Sequence, residues 1–309
     1  MASPDWSNLP PDHNLAKFAA DLPDILSQTD YNEMYGVTLQ ASGDADQPTP
    51  HTTLIILQKF LRANMNDLTK AKAQLTDALA WRKSYNPLAA KDDTFSADKF
   101  AGLGFVTTIK DVPSTGHKED VATFNIYGAA TQDPKKTFGD TDAFVRWRVA
   151  LMELTLSQLH LASATQPIPD YGQGADPYQA IQIHDYLSVS FFRQPGEIKA
   201  SSAKIIDLFS KYYPETVSYK YFVNVPLVMQ WMMGAMKMLL SKDSIQKMTW
   251  LTYGNQLASY VGGDVPKEYG GTGQGLKEKA LTPTYDDAVK EARATEASTK
   301  AVAENAEAK

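Results

Sequence analysis

A histidine and a tyrosine stand two positions apart in an apolar stretch, and together they could hold a metal or a buried polar ligand. His184 and Tyr186 lie within residues 181–192, which read IQIHDYLSVSFF. This composition predicts a strand, so the two side chains share one face and Asp185 points the opposite way. Tyrosine oxygen is a known axial ligand of heme iron. A core histidine and tyrosine that each hydrogen-bond a neighbour would have the same spacing.

The composition excludes several kinds of site. The chain has 309 residues, 43% of them hydrophobic, and can bury a sizeable core in one large domain or two small ones. It contains no cysteine, which excludes disulfides, thiolate metal sites, iron–sulfur clusters and a cysteine nucleophile. The formal net charge is -6 and no long basic block is present, so no nucleic-acid partner is expected. The N-terminus lacks a signal-peptide pattern, which favours a cytoplasmic location.

Motifs of common enzyme classes are absent from the sequence. It has no P-loop, no HExxH, no GxSxG elbow and no Rossmann glycine fingerprint. The five histidines are scattered, and none pairs with another at metal-binding spacing. A hydrolase or a dehydrogenase is therefore poorly supported, and we expect that the protein is not an enzyme.

The order of predicted elements favours an α/β fold. Helices are expected first, and strands then alternate with helices, which is typical of a mostly parallel sheet. The expected helices are residues 15–26, 52–63, 141–161, 197–211, 227–240 and 255–260, with one more that begins at Asp67 or Thr69 and stops at Asn86. The expected strands are residues 104–110, 121–127, 181–192, 219–225 and 248–253.

One apolar stretch could be mistaken for a membrane span. Residues 221–240 are largely apolar, but they include Asn224, Pro226 and Lys237, which are costly or disruptive in lipid. We divide the stretch at Pro226 into a strand and a helix over residues 227–240 that is rich in methionine. That helix could be a core helix, a mobile cover over an apolar cavity, or a face that touches a membrane.

Several motifs, in the correct order, resemble the CRAL-TRIO, or Sec-fourteen-like, lipid-transfer family. They are FLRA at residues 60–63, WRKSYNP at 81–87, YYPE at 212–215, YFVNVP at 221–226 and PKEYGG at 266–271. The resemblance implies a helical lobe and a sheet whose helices enclose an apolar cavity, closed by a gating helix at the methionine-rich segment. The implied organisation is an N-terminal extension (1–50), a helical lobe (51–95), a CRAL-TRIO ligand-binding domain (96–275) and a flexible tail (276–309).

Within that family, the chain is similar to a fungal branch of non-classical phosphatidylinositol transfer proteins that bind heme. The matching motifs are FVRWR at residues 144–148, LME at 151–153, QIHDY at 182–186 and YKYFVNVP at 219–226. The resemblance implies ferric heme b in the lipid cavity, with Tyr186 as the axial iron ligand and His184 beside the iron. It also implies that Tyr127, Arg148 and Lys220 contact the heme periphery.

The chemistry of these residues is compatible with that role. A phenol has an ordinary pKa near 10, and a bound ferric ion would lower it because the cation favours the phenolate. Arg148 and Lys220 could pair with the heme propionates, although an ion pair with Glu153 or a solvated lysine would explain them equally well. The alternative function is a phosphatidylinositol carrier. Either protein would contact membranes, the endoplasmic reticulum included, only peripherally.

Overall fold

The computed structural model describes residues 6, 9–42, 48–189, 195–227, 229 and 245–287. They form an N-terminal helical region followed by an α/β region, which confirms the predicted fold class. The helices include α1 (Asn14–Thr29), α2 (His51–Ala63), α3 (Leu68–Tyr85), α4 (Pro87–Asp92), α5 (Ala97–Phe100), α6 (Tyr127–Ala130), α7 (Pro134–Phe138), α8 (Thr141–Gln158) and α9 (Gly196–Tyr212). Short helical turns follow at Gly254–Gln256, Ala258–Val261, Lys267–Tyr269 and Leu276–Lys279.

A five-stranded sheet forms the centre of the α/β region. Its strand order follows the chain, and only the first pair is antiparallel, so the sheet is mostly parallel as predicted. Its strands are β4 (Gly104–Val112), β5 (His117–Ile126), β6 (Ala180–Asp185), β7 (Val217–Val223) and β8 (Met248–Trp250). Two small two-stranded ladders lie outside it, β1 (Glu33–Met34) with β2 (Val37–Thr38), and β3 (Thr94–Phe95) with β9 (Thr284–Tyr285).

The sheet has one apolar face and one that carries polar side chains. Phe124, Ile183 and Tyr221 are register neighbours and belong to an apolar cluster with residues from the 251–276 segment. Helix α8 approaches the opposite face, where Thr155 and Thr123 hydroxyls are 2.7 Å apart. One row on that face is set by the register and contains Asn125, His184, Phe222 and Trp250.

Local sequence signals account for the helix boundaries. The Asp67 carboxylate accepts a hydrogen bond from the Lys70 amide at 3.1 Å, so the cap predicted for α3 is confirmed. The Asp140 carboxylate caps α8 in the same way, through the Ala143 amide at 3.0 Å. Helix α8 ends at Gln158, three residues before the predicted end.

Strand β6 is shorter than predicted. It ends at Asp185, whereas residues 181–192 were expected to continue as a strand. The chain turns because the Asp185 carboxylate accepts a hydrogen bond from the Leu187 amide at 2.9 Å and Ser188 adopts a left-handed φ of 68°. Tyr186 therefore stands at the first position after the strand.

The predictions for the methionine-rich helix and for the C-terminal tail have different outcomes. The methionine-rich helix expected over residues 227–240 lies largely outside the described residues. The segment from residue 276 was expected to be flexible, but its first part is packed, since Tyr285 is 9% exposed and its hydroxyl accepts a hydrogen bond from the Trp147 indole at 3.2 Å. Pairing with β3 buries this segment, and that pairing joins residues too distant in sequence for a local pattern to indicate.

Candidate ligand site

The candidate site lies at the carboxyl ends of the parallel strands β5, β6 and β7. Tyr127 directly follows β5, His184 is the next-to-last residue of β6, and Phe222 is the next-to-last residue of β7. Parallel strands end at the same edge of a sheet, and ligands of open α/β folds commonly bind there. The topology thus assembles the site from three distant parts of the sequence.

The aromatic rings of the site lie close together. The Tyr127 and His184 ring centroids are 5.6 Å apart and their planes differ by 3°. The Tyr186 ring is 5.3 Å from Tyr127 and tilted by 34°. His184 in β6 and Tyr186 directly after it, the two predicted ligand-facing side chains, therefore lie beside Tyr127, while the carboxylate of Asp185 contacts Tyr269 instead.

His184 is buried with an unused ring nitrogen. Its side chain is 8% exposed, and Nδ1 has no hydrogen-bond partner among the described residues. Burial lowers the pKa of His184 well below its ordinary value, and the nearby cations Lys220 and Arg148 lower it further. The imidazole is therefore neutral, and the alternative of a fully satisfied core histidine is wrong. A buried polar atom without a partner is costly, so the site is suited to a ligand that supplies one.

Arg148 is a buried cation without an acidic neighbour in the described part of the chain. It is 5% exposed and donates a hydrogen bond from Nη1 to Asn125 Oδ1. Its guanidinium carbon lies 5.6 Å from the centre of the Phe209 ring. Burial lowers the pKa of Arg148 because the charged form is desolvated.

The ion pair between Arg148 and Glu153, considered as an alternative, does not form. The Glu153 carboxylate instead accepts hydrogen bonds from Arg82 Nη1 at 2.7 Å and from the Tyr213 hydroxyl at 2.6 Å. Those two donors satisfy Glu153, so the positive charge of Arg148 is left for another group.

Lys220 adds a second partly desolvated cation one row away on the same face. It pairs with Gln182 in the sheet register, and burial lowers its pKa, with a further contribution from Lys247. The alternative of a solvated lysine at a strand end is therefore wrong. No hydrogen bond joins the Lys220 ammonium to another described side chain, so this face carries two cations suited to an anionic ligand.

Tyr186 is held in its neutral form by its surroundings. Burial raises the pKa of the phenol above its ordinary value, and Tyr127 raises it further. Only a strong local positive charge, such as a coordinated metal ion, would favour the phenolate here.

Sequence reasoning missed three residues of the site. The Phe222 ring lies 5.0 Å from His184, with their planes 15° apart, and the Trp250 ring lies 5.4 Å from Phe222. Phe222 could have been found because it stands two residues after Lys220 on one strand and so shares its face. That Trp250 and Asn125 belong to the site is seen only from the pairing register of the sheet.

Two further properties concern metals and membranes. Within the described ranges, no group of three or more His, Asp or Glu side chains is arranged to hold a metal ion. Also within those ranges, no helix combines the length and the apolar character needed to cross a bilayer.

Family models and similar proteins agree with this architecture. Residues 123–271 match the CRAL/TRIO domain family and residues 14–77 match the CRAL/TRIO N-terminal domain family. The chain is 49% identical over 277 residues to a protein of Phaeosphaeria nodorum named phosphatidylinositol transfer protein SFH5, covering 90% of this chain and 82% of that protein. This chain belongs to the CRAL/TRIO family.

Two other similar proteins extend the comparison. A phosphatidylinositol transfer protein sfh5 of Sclerotinia sclerotiorum is 49% identical over 275 residues, which cover 88% of this chain and 64% of that longer protein. A solved structure titled "Crystal structure of Sfh5" has 28% sequence identity and a TM-score of 0.72, and the match covers 91% of this chain and 95% of that chain. The confirmed family resemblance therefore extends to the whole fold.

Proposed function

We propose that this protein binds ferric heme b at the carboxyl ends of β5, β6 and β7, where Tyr127, His184 and Tyr186 meet, and that the Tyr186 phenol oxygen would hold the iron. The observation that carries the proposal is that Tyr186 and a buried, neutral His184 both lie against the Tyr127 ring, and that His184 Nδ1 has no partner among the described residues. A lipid carrier needs no such pair of potential ligand groups, whereas an iron-bound phenolate does benefit from a neighbouring hydrogen-bonding ring.

The residues of the site have distinct roles in this proposal. When bound, heme supplies a ferric ion that acts as a Lewis acid. Tyr186 would hold the iron as the anionic phenolate, a form that its surroundings otherwise disfavour, with its phenolic proton released to solvent. His184 would offer a neutral ring nitrogen to the bound group, and Tyr127 packs against the rings of His184 and Tyr186. Because only one protein ligand is needed, the described residues can supply it without a cluster of acidic or imidazole groups.

The two cations account for the anionic edge of such a ligand. Heme carries two propionates, and Arg148 and Lys220 are two cations for which the described residues provide no carboxylate. Pairing with a ligand carboxylate would offset the cost of burying each charge. Arg148 offers a planar fork for this purpose and Lys220 a single ammonium.

The second candidate function is phosphatidylinositol transfer. The relatives from Phaeosphaeria and Sclerotinia bear that name. The same two cations also suit a lipid phosphate, because phosphate and carboxylate are both anionic acceptors. In either case we propose a binding or carrier protein and not an enzyme.

We also propose that the protein works in the cytoplasm and contacts membranes peripherally, including the endoplasmic reticulum. Exposed apolar side chains follow each of three neighbouring strands at the edge that carries the site. They are Leu187 at 61%, Leu227 at 70% and Tyr253 at 65% exposure. Sedimentation with phospholipid vesicles tests this contact.

The decisive experiment is an absorption spectrum and a lipid analysis of one sample of protein, purified from cells that make heme. We expect a Soret band and about one heme per chain, with the band lost or strongly weakened in Tyr186→Phe. Tyr253→Phe is the matched control, because that tyrosine is 65% exposed and outside the aromatic group. Folded but colourless wild-type protein would reject heme binding, and co-purified phosphatidylinositol in that sample would favour lipid transfer.

A further inference from the structure

We infer that Asp185 is a positioning residue that holds Tyr186 against Tyr127 from the opposite face of the sheet. The inference rests on the proposed function for its importance to ligand binding, but the contacts that carry it are present without a ligand. Asp185 lies between the two candidate ligand residues in sequence, yet its carboxylate points away from them.

The Asp185 carboxylate is buried and fully engaged. It is 6% exposed, and Oδ1 accepts hydrogen bonds from the Leu187 amide at 2.9 Å and from Asn224 Nδ2 at 2.7 Å. Oδ2 accepts a hydrogen bond from the Tyr269 hydroxyl at 2.9 Å. None of these donors is a cation, and no salt bridge to Asp185 occurs within the described ranges. A buried carboxylate held only by neutral donors is an expensive arrangement that needs all of its hydrogen bonds.

These contacts fix the backbone on both sides of Tyr186. The Tyr186 amide donates to the Val223 carbonyl at 3.0 Å, which continues the pairing with β7 by one residue. The next amide, that of Leu187, is bound by Asp185. Tyr186 therefore stands in a turn whose two successive amide groups are anchored, and its ring direction is set by that turn.

The same carboxylate joins the ends of three neighbouring strands. Asn224, directly after β7, has a left-handed φ of 59° and donates to Asp185 through its amide nitrogen. Its amide oxygen accepts a hydrogen bond from the Gly254 amide at 2.7 Å, in the turn that follows β8. Tyr269 connects the junction to the 266–271 segment. A change at Asp185 would thus loosen the edge on which the site is built, without touching the ligand.

The test compares Asp185→Ala, Asp185→Asn and the control Asp120→Ala. Asn keeps the Oδ1 contacts, and its amide can donate to the Tyr269 hydroxyl, so it should behave like the wild type. Asp120 is a good control because it is 4% exposed and likewise held by a hydroxyl and an imidazole, from Thr115 and His117, in the β4–β5 hairpin. Both alanine variants should lose stability, so a stability measurement alone does not distinguish a residue that positions Tyr186 from one that only stabilises the fold.

Measurements on the ligand-free and the heme-loaded protein distinguish these two roles. Amide hydrogen exchange in the ligand-free protein should show Leu187 exchanging faster by about tenfold or more in Asp185→Ala, the effect of losing one charge-assisted hydrogen bond, but not in Asp120→Ala. The nuclear Overhauser contact between the Tyr127 and Tyr186 rings should weaken in the same variant. In heme-loaded protein, the electron paramagnetic resonance signal of the ferric iron should change shape in Asp185→Ala and not in Asp185→Asn.

The outcomes are distinguishable. Colourless wild-type protein rejects the proposed function, and the exchange and ring-contact data then decide the positioning role alone. Heme-loaded wild-type protein with an unchanged iron signal in Asp185→Ala overturns the inference and leaves heme binding intact. Unchanged Leu187 exchange and an unchanged ring contact in Asp185→Ala also overturn it.

Discussion

Individual side chains of the site are held in states that cost free energy in the ligand-free protein. Among the described residues, a ring nitrogen of buried His184 has no hydrogen-bond partner and buried Arg148 has no acidic neighbour. Lys220 is partly desolvated and lies near Lys247. Such groups are retained where function requires them, because packing alone would favour apolar residues. Replacing such a group should therefore raise the stability of the ligand-free protein and weaken ligand binding.

The variant Lys220→Met should show both effects. Removing the desolvated ammonium should raise the free energy of unfolding of the ligand-free protein by about 1 kcal/mol, since methionine fills similar space without the charge. The same change should weaken binding of the anionic ligand. Urea unfolding and heme titration measure the two effects. Lys83→Met is the control, because the Lys83–Asp30 pair is exposed on the surface and its loss should leave the stability nearly unchanged.

His184 should make the ligand-free protein less stable in mild acid. Its pKa is lowered in the folded state, so the unfolded chain binds the proton more readily. The free energy of unfolding should therefore be unaffected by His184 above pH 6.5 and should fall below it, by up to about 1.4 kcal/mol per pH unit. His184→Phe keeps a ring in the stack and should remove this part of the slope. Equal slopes between pH 7.5 and 5.5 in the two proteins would contradict the expectation.

Close contacts between elements of the α/β region set the positions of these residues. Helix α6 begins at Tyr127, and its second residue, Gly128, lies against the turn that follows Tyr186. A Cβ atom at Gly128 would stand 1.7 Å from the Leu187 carbonyl oxygen. The absence of a side chain at that point allows Tyr127 and Tyr186 to meet.

Gly128→Ala should therefore displace the turn that carries Tyr186. We expect a loss of about 1–3 kcal/mol in the free energy of unfolding, typical of overpacking against backbone, together with weaker heme binding. Gly196→Ala at the start of α9 is the matched control, since an added Cβ meets nothing within 4 Å there. A Gly128→Ala protein with wild-type stability and heme affinity would show that the turn can move freely.

At the scale of the whole molecule, the described residues form two apolar cores, one on each side of the five-stranded sheet. One core joins α1, α2, α3, α8 and α9, and the other lies under the opposite face of the sheet. Buried ion pairs connect the helical region to the α/β region. Lys59 of α2 binds Asp176 Oδ2 at 2.6 Å, both side chains being fully buried, and also donates to the carbonyls of Tyr178 and Glu215.

Lys59→Met should be among the most damaging single changes in the chain. It leaves Asp176 buried without a cation, which typically costs about 3–5 kcal/mol. Chemical unfolding measures the loss, and adding Asp176→Asn in the same chain should recover part of it because the charge is then gone. Lys72→Met, which removes the half-exposed pair with Asp21, should cost less than about 1 kcal/mol. Similar losses in the two single variants would contradict the role given to the buried pair.

Much of this architecture could be predicted because its signals are local. Helices α2, α3 and α9 and the strands of the sheet follow from apolar spacing, caps and prolines close in sequence, as at Asp67. The end of β6 was misplaced for a physical reason: the residues after Asp185 favour a strand, but a side chain bound to its own backbone turns the chain there. The packed segment near Tyr285 was missed because its partner strand is distant in sequence.

The sequence by itself determined the family, the order of elements and the alternation that puts His184 and Tyr186 on one face, because each depends on residues that are neighbours along the chain. Only the tertiary structure decided that Arg148 contacts Asn125 and not Glu153, that Phe222 and Trp250 extend the row of rings, and that Asp185 anchors the turn of Tyr186. Those contacts depend on strand register and on the approach of α8 to the sheet. Register and helix approach are set by the packing of the whole domain, which no short stretch of sequence encodes.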